Sequence, residues 1–414
     1  MRKGVSRGGH NHGGGGEVKT LKYDVVVVGG GPAGSSVARY AARGGAKVLM
    51  LEKRQEVGSP VRCGEGVSKK ILQKIELEPL ESWIANEVAG AKIISPSGSE
   101  FELSEDLAGN ETGYIIRRDI FDKHLAKLAA VEGADIMVKT TATSLIKEDG
   151  KIKGVLARHL GEEYRIEATV TVAADGFEAR LSREAGLKTS LKLRDVDICI
   201  QYEMVGVKAD PLYTEFYVGQ GYAPGGYVWI FPKSERVANV GIGVNLMFSE
   251  RGATPRRYLE KFIASREDLK GAKIVEINGG AVSVSMPPES VTLPGFAAVG
   301  DSARMIDPLT GGGVVNGAVA GRVLGEALGR MVQGKLSPEE ALAEYEKGWR
   351  KKMEVQLARN YLAKEKLLEL TDEEMNDLIE AVGSIKLEGL STAAILKAVK
   401  EAKPSLAEKF SDFL

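Results

Sequence analysis

Four consecutive β-branched residues, Val25–Val28, form an unbroken apolar run near the start of the chain. A run without alternation is the pattern of a strand buried on both faces. A helical stretch follows from Ser35 to Arg43, and a second apolar run, Lys47–Leu51, ends at Glu52. The order strand, helix, strand predicts the opening of a parallel α/β sheet. Further on, the segment around Arg117-Arg118-Asp119 reads as strand, helix and then strands, with His124 on the helix and His159 on a strand. An apolar strand starting near Ala168 ends at Asp175-Gly176, with a helix behind it. Between Leu191 and Ser285 the pattern shifts to short strands with aromatics and turn residues between them, as in "DICIQYEMVG", "YTEFYVG", "GYVWIFPKSERVANVGIGVN" and "INGGAVSVSM". This middle region predicts an antiparallel sheet covering a pocket. Tyr227, Trp229 and Phe231 alternate along one of its strands, so period two puts all three rings on one face. Phe296–Val299 is a last short strand, followed by a glycine triplet, an Ala/Gly/Val helix and, after Ser337, charged helical sequence.

Composition narrows the function classes. Lys and Arg number 56 against 57 Asp and Glu, which argues against a nucleic-acid protein. The two cysteines, Cys63 and Cys199, cannot make a disulfide scaffold, and the four histidines hold no zinc-ligand spacing with them. No metal is expected, and a reducing cytoplasm is the simplest compartment. Residues 1–20 are Gly-rich and polar and read as a disordered tail, in which His10 and His12 are the one candidate metal pair. No apolar core of a secretory signal follows Arg2 and Lys3. No window reaches ~18 uninterrupted apolar residues, so no membrane-spanning helix is expected; a peripheral membrane contact stays open.

The chemistry concentrates in three places. Gly29, Gly31 and Gly34 fall in G-x-G-x-x-G spacing between the first strand and helix, with Glu52 ending the second strand. Glycines at those positions let a pyrophosphate approach the helix N-terminus, and the acid accepts from an unphosphorylated adenosine ribose, as in FAD or NAD. Asp301 then ends a strand ahead of Gly311–Gly313 and a helix beginning near Val314. A carboxylate there suits a ribityl hydroxyl, and bare amides at a helix start suit the pyrimidine edge of a flavin. NAD offers no such group; the other reading of the triplet is a close-packed helix. The loop "SPVRCGEG" sets Cys63 between Arg62 and Glu65, with Gly64 and Gly66 around them. Cys63 has no histidine partner for acyl transfer and no companion ligands for a metal. The two glycines predict a backbone pressed against something flat. Arg118 opens a helix beside the cofactor or pairs with Asp119 or Asp122 at the helix start.

Taken together, Gly29–Gly34 with Glu52, Asp175-Gly176, and Gly300-Asp301 with Gly311–Gly313 resemble the FAD-dependent oxidoreductases of the para-hydroxybenzoate hydroxylase fold. The chain is further similar to the archaeal geranylgeranyl reductases through "GSPVRCGEGVS", "GYVWIFPK", "IDPLTGGGVVNGAVAG" and "RNYLAKEKL". The fold so implied is a composite α/β one: a Rossmann-like FAD-binding unit (residues 21–75, 110–190 and 286–335), a substrate-binding sheet (76–109 and 191–285) and a helical C-terminal part (336–414). The resemblance implies FAD contacts at Ala33, Glu52, Cys63, Gly64, Gly66, Arg118, Ala142, Asp301, Gly313 and Val314. It also implies saturation of isoprenoid double bonds in a prenylated glycerolipid. An isolated alkene has no carbonyl to polarise, so the site must seat it against the flavin and supply a proton. Cys63, Glu65, Tyr227, an ordered water and the flavin itself are the candidate sources. The family turns the Tyr227–Trp229–Phe231 face into a pocket wall, and offers Lys233 and Arg236 to a lipid phosphate or to solvent. "VGIGVN" lacks the spacing of a second dinucleotide fingerprint and reads as a strand, so the external electron donor stays open among NAD(P)H, a deazaflavin and ferredoxin. A membrane-docking surface is expected in the C-terminal helices, around Leu390–Val399. Two rival readings remain: an aromatic-ring monooxygenase of the same fold, and a prenyl-lipid carrier holding FAD as a structural ligand.

Overall fold

The computed structural model describes residues 18–104, 112–251 and 254–383, with a few isolated positions beyond them. His10, His12 and Leu390–Val399 lie outside the described residues.

The first strand, Lys19–Val28, runs at the centre of a parallel ladder. It pairs with Glu162–Ala173 on one side and Val48–Leu51 on the other, bringing Val25 beside Val170 and Val48. Both faces are covered, so Val25, Val26 and Val27 have no exposed surface. Burying each such side chain contributes ~1.5–3 kcal/mol, which is why the unalternated run settles there. Phe296–Ala298 and Asp135–Met137 extend the parallel set outward, and the hairpin Thr140–Glu148/Lys151–His159 leaves it antiparallel. The first strand is longer than its apolar run. Lys19 and Thr20, expected in the tail, pair with Tyr164 and Arg165 because the partner strand is twelve residues long. Lys19 Nζ also reaches Glu162 at 2.7 Å.

Helices Pro32–Arg43, Arg118–Val131 and Val314–Val332 accompany this sheet. The first and last lie against each other along a row of glycines at every fourth position, Gly317 to Gly329. A Cβ on Gly321 would overlap the Ala33 carbonyl, and one on Gly325 would stand 2.7 Å from Tyr40 Cβ. The backbones therefore touch where side chains would hold them apart, so the close-packed reading of this helix is correct alongside any role at its start.

The second sheet has seven strands in the order Lys273–Ser283, Val196–Val205, Val237–Asn245, Tyr227–Ser234, Tyr213–Val218, Gly90–Ile94, Glu100–Ser104. It is antiparallel except where Tyr213–Val218 meets Gly90–Ile94. "VGIGVN" is part of a strand, as its spacing predicts. A small sheet of Gly66–Val67, Tyr114–Ile116 and Ile84–Glu87 joins the cysteine loop to the start of the Arg118 helix. Helices Pro338–Trp349, Val355–Leu367 and Asp372–Gly383 complete the described chain, the first opened by a Ser337/Glu340 capping box.

Candidate active site

One cavity of about 420 Å³ lies between the parallel sheet and the seven-stranded sheet. Its first wall is the turn from the first strand into Pro32–Arg43. Gly34 sits so close behind that turn that a Cβ would overlap the Gly29 carbonyl. Gly31 differs: it lines the cavity, and nothing stands within 4 Å of where its Cβ would be. The helix start carries no side-chain cap, so the first-turn amides face open space. Glu52 stands behind the turn and outside the cavity wall, its carboxylate accepting from Gly30 N at 3.0 Å and Arg54 N at 2.8 Å.

The second wall holds Asp301 and the glycine triplet. The Asp301 carboxyl is raised above the usual range by burial, opposed by the charges of Arg118 and Arg304. Gly313 caps the helix Val314–Val332 without a side chain, and a Cβ on it would come 3.0 Å from Asp301 Oδ1. Asp307 shapes the approach: its Oδ1 accepts from Leu309 N at 2.9 Å and Thr310 N at 3.3 Å, and Asn360 Nδ2 donates to Oδ2 at 2.7 Å. Two uncapped helix starts and a half-buried carboxyl thus face one space, the donor and acceptor set that a dinucleotide flavin requires.

The third wall is the cysteine loop. Cys63 Sγ accepts from Glu65 N at 3.2 Å. Burial pushes its thiol pKa up, against the lowering effect of the neighbouring Arg118. Arg118 makes a two-pronged pair with Asp122 at 2.7 and 2.8 Å, the helix-start pairing, and also lines the cavity. Glu65 is buried with a left-handed φ of 75°. Its Oε1 accepts from Arg118 N at 2.8 Å, and its Oε2 meets Asn239 Nδ2 at 2.8 Å and Lys233 Nζ at 2.6 Å. Lys233 pairs also with Glu203 at 2.5 Å. Those two carboxylates engage its ammonium, so neither of the two readings of Lys233, toward a lipid phosphate or toward solvent, describes its place here. Gly64 lines the cavity and also packs on the sheet. On its Cβ side stand the protein's own rings: a Cβ would lie 3.0 Å from Phe231 Cε2 and 3.6 Å from Trp229 Nε1.

The fourth wall is the seven-stranded sheet. Register sets Gly280, Cys199, Gly243 and Tyr227 in one row across four strands. Asn278, Gln201, Gly241 and Trp229 form the next row on that face. Tyr227, Trp229 and Phe231 all line the cavity, with ring centroids 5.8 and 6.4 Å apart in sequence. The Tyr227 hydroxyl donates to the Thr310 carbonyl. A Cβ on Gly241 would overlap the Trp229 indole, which lies across that strand.

Cys63, Gly64, Glu65, Gly66, Arg118, Asp301, Gly313, Val314, Gly31, Ala33 and Gly34 therefore converge on one cavity with the three aromatics. Gly29 and Ala142 stand outside its wall; the Ala142 carbonyl accepts from Arg180. Sequence reasoning missed Gln201, Asn239 and Asp197. Gln201 Nε2 donates to Cys63 O at 3.0 Å, and Asn239 Nδ2 also to Gly64 O at 3.1 Å. Asp197 lines the cavity, accepts from Asn245 Nδ2 at 2.8 Å, and has its pKa pushed up to about 6 by burial. A signal was present: Asp197, Cys199, Gln201 and Glu203 alternate, as do Asn239, Gly241, Gly243 and Asn245. Polar and small residues at period two mark a strand face that is neither core nor surface. No cluster among the described residues has metal-ligand character, and no described helix is long and apolar enough to cross a membrane.

Comparison with known proteins bears on this cavity. The family model for the geranylgeranyl reductase catalytic domain matches residues 195–282, and that for FAD dependent oxidoreductases matches residues 24–208. The chain is 44% identical over 394 residues to the digeranylgeranylglycerophospholipid reductase of Thermoplasma volcanium, covering 95% of this chain and 99% of the relative. It is 43% identical over 390 residues to the protein of that name from Methanosarcina acetivorans, covering 93% and 94%. The crystal structure of a geranylgeranyl bacteriochlorophyll reductase-like protein from Thermoplasma acidophilum superposes with a TM-score of 0.89 at 44% identity, over 95% of this chain and all of that one. A flavin-dependent brominase at 21% identity and a TM-score of 0.69 shares the fold.

Proposed function

We infer, from a chain that belongs to the digeranylgeranylglycerophospholipid reductase family, an FAD-dependent oxidoreductase that saturates the isoprenoid double bonds of geranylgeranyl chains in membrane glycerophospholipids. The observation that carries this reading is a cavity in which two uncapped helix starts, the Asp301 carboxyl and the Cys63 thiol face an aromatic wall. With FAD bound, the amides of Ala33 and Gly34 would hold the pyrophosphate, Glu52 the adenosine ribose, Asp301 the ribityl chain, and Gly313 and Val314 the pyrimidine edge. Reduced FAD supplies the hydride. The chain supplies orientation and a proton. Tyr227, Trp229 and Phe231 seat the prenyl chain, whose apolar length favours such a wall by ~0.8 kcal/mol per buried CH₂. Electron-rich ring faces also stabilise positive charge developing on the more substituted alkene carbon.

Three side chains were candidates for the proton. The Glu65 carboxylate is met by three donors, Arg118 N, Asn239 Nδ2 and Lys233 Nζ, which suits holding the loop more than giving a proton. The Tyr227 hydroxyl is directed at Thr310 O. Cys63 keeps its proton at neutral pH because burial raises its pKa, and it faces the cavity. We assign it the donor role to the alkene. Electrons arrive from an external donor, NAD(P)H, a deazaflavin or ferredoxin. The enzyme meets its lipid peripherally at the membrane, and its expected docking segment, Leu390–Val399, is outside the described residues.

The test is anaerobic mixing of photoreduced holoenzyme with a digeranylgeranyl glycerophospholipid. Flavin reoxidation with saturated product supports the reading. Product that forms only with oxygen points to a monooxygenase, and no turnover points to a carrier. Liposome flotation with and without residues 385–414 tests the membrane contact. Failure of both forms to float refutes it, and equal flotation moves the surface elsewhere.

A further inference from the structure

We propose that Gln201 is a positioning residue that locks the aromatic wall and the Cys63 loop into one register. Its side-chain amide is buried, and both ends are engaged. Oε1 accepts from Trp229 Nε1 at 2.8 Å, while Nε2 donates to the Cys63 carbonyl at 3.0 Å. An indole N–H only donates and a carbonyl only accepts, so the amide satisfies both in one orientation alone. Rotating it would set two donors and two acceptors against each other, each an unpaired buried group.

The neighbours complete the lock. Trp229 lies across the next strand because Gly241 has no side chain there. Gly64, beside Cys63, packs directly on Phe231 and Trp229. One row along, Asn239 binds both Gly64 O and Glu65 Oε2. The thiol-bearing loop is thus held from the substrate sheet by two side-chain amides. The wall that seats an alkene and the thiol assigned to protonate it move together through Gln201. This rests on the reading that Cys63 faces the reacting alkene.

The experiment uses FAD-loaded Gln201→Met, which keeps the length and loses both hydrogen bonds, and Trp229→Phe, which keeps a ring and loses only the N–H. Iodoacetamide labelling is followed by peptide mass spectrometry, with Cys199, on the same strand as Gln201, as the internal reference. Both variants are expected to label Cys63 several-fold faster than the unsubstituted enzyme with Cys199 unchanged. In Gln201→Met, kcat should fall about 10- to 10²-fold with KM moved far less, the cost of misplacing a reacting group by about 1 Å. Unchanged Cys63 labelling in both variants overturns the proposal, whatever happens to turnover. Equal acceleration at Cys63 and Cys199 overturns it too, since that is loosening of the sheet. Labelling needs no lipid, so this failure is distinct from that of the lipid-reductase reading, which appears as no turnover in the unsubstituted enzyme.

Discussion

Gly31 and Gly34 belong to one motif, yet the structure gives them opposite sensitivities. Gly31 has φ −71° and ψ −176°, a backbone conformation open to any residue, and its missing Cβ points into space. Gly31→Ala is therefore expected to leave the apoprotein intact, or to stabilise it by ~0.4–1 kcal/mol through the unfolded chain. The added methyl occupies the space that a pyrophosphate needs to reach the first-turn amides. Losing one charge-assisted hydrogen bond costs about 1.5–3 kcal/mol, or roughly 10- to 150-fold in FAD affinity. Gly34→Ala behaves in reverse order: its Cβ overlaps the Gly29 carbonyl, so overpacking of ~1–3 kcal/mol should lower the apoprotein's melting temperature before FAD is considered. Circular-dichroism melts of both apoproteins, followed by FAD titration monitored by quenching of flavin fluorescence, separate the two effects. Wild-type FAD affinity in Gly31→Ala would place the pyrophosphate elsewhere. An unaltered melt of Gly34→Ala would refute the steric argument.

Glu52→Arg should weaken FAD binding by replacing the ribose acceptor with a donor of opposite charge and freeing Gly30 N; unchanged flavin absorbance and affinity in the purified variant would refute the adenosine assignment. Cys63→Ala and Cys63→Ser should retain FAD while alkene saturation falls ~10²-fold or more, and single-turnover reoxidation by lipid at the wild-type rate in Cys63→Ala would exclude proton donation. The Asp197 carboxyl is pushed from 3.8 up to about 6 by burial, so between those values the folded state holds a proton that the unfolded chain has released. Stability from this group therefore falls as pH rises from about 4 to about 6, and the loss persists at higher pH. Asp197→Asn should stabilise the protein by on the order of 1–2 kcal/mol near neutral pH and by nothing below about pH 4; a gap of equal size at both pH values would trace it to packing instead.

Local chemistry was legible before the fold was known. Val25–Val28 is apolar at every position, and only a strand covered on both faces uses such a run. The fingerprint glycines, the Asp301 strand end and the Gly313 helix start are short-range features, set by what a tight turn or an uncapped helix permits, and they could be read one at a time. So could the shared face of Tyr227, Trp229 and Phe231, since period two is a property of any extended chain. Tertiary structure decided which of these features meet, and what each polar side chain is for. Lys233 could be read toward a phosphate or toward solvent until the sheet placed Glu203 and the loop's Glu65 against it. Gly64 lines the cavity and packs on Phe231 at once, a double contact that no local pattern announces. Gln201 and Asn239 carried no motif at all, because their partners Cys63, Gly64 and Glu65 lie more than a hundred residues away in the chain. A side-chain amide takes its meaning from the donors and acceptors around it, and those are fixed by packing between sheets, a long-range property that no window of sequence contains.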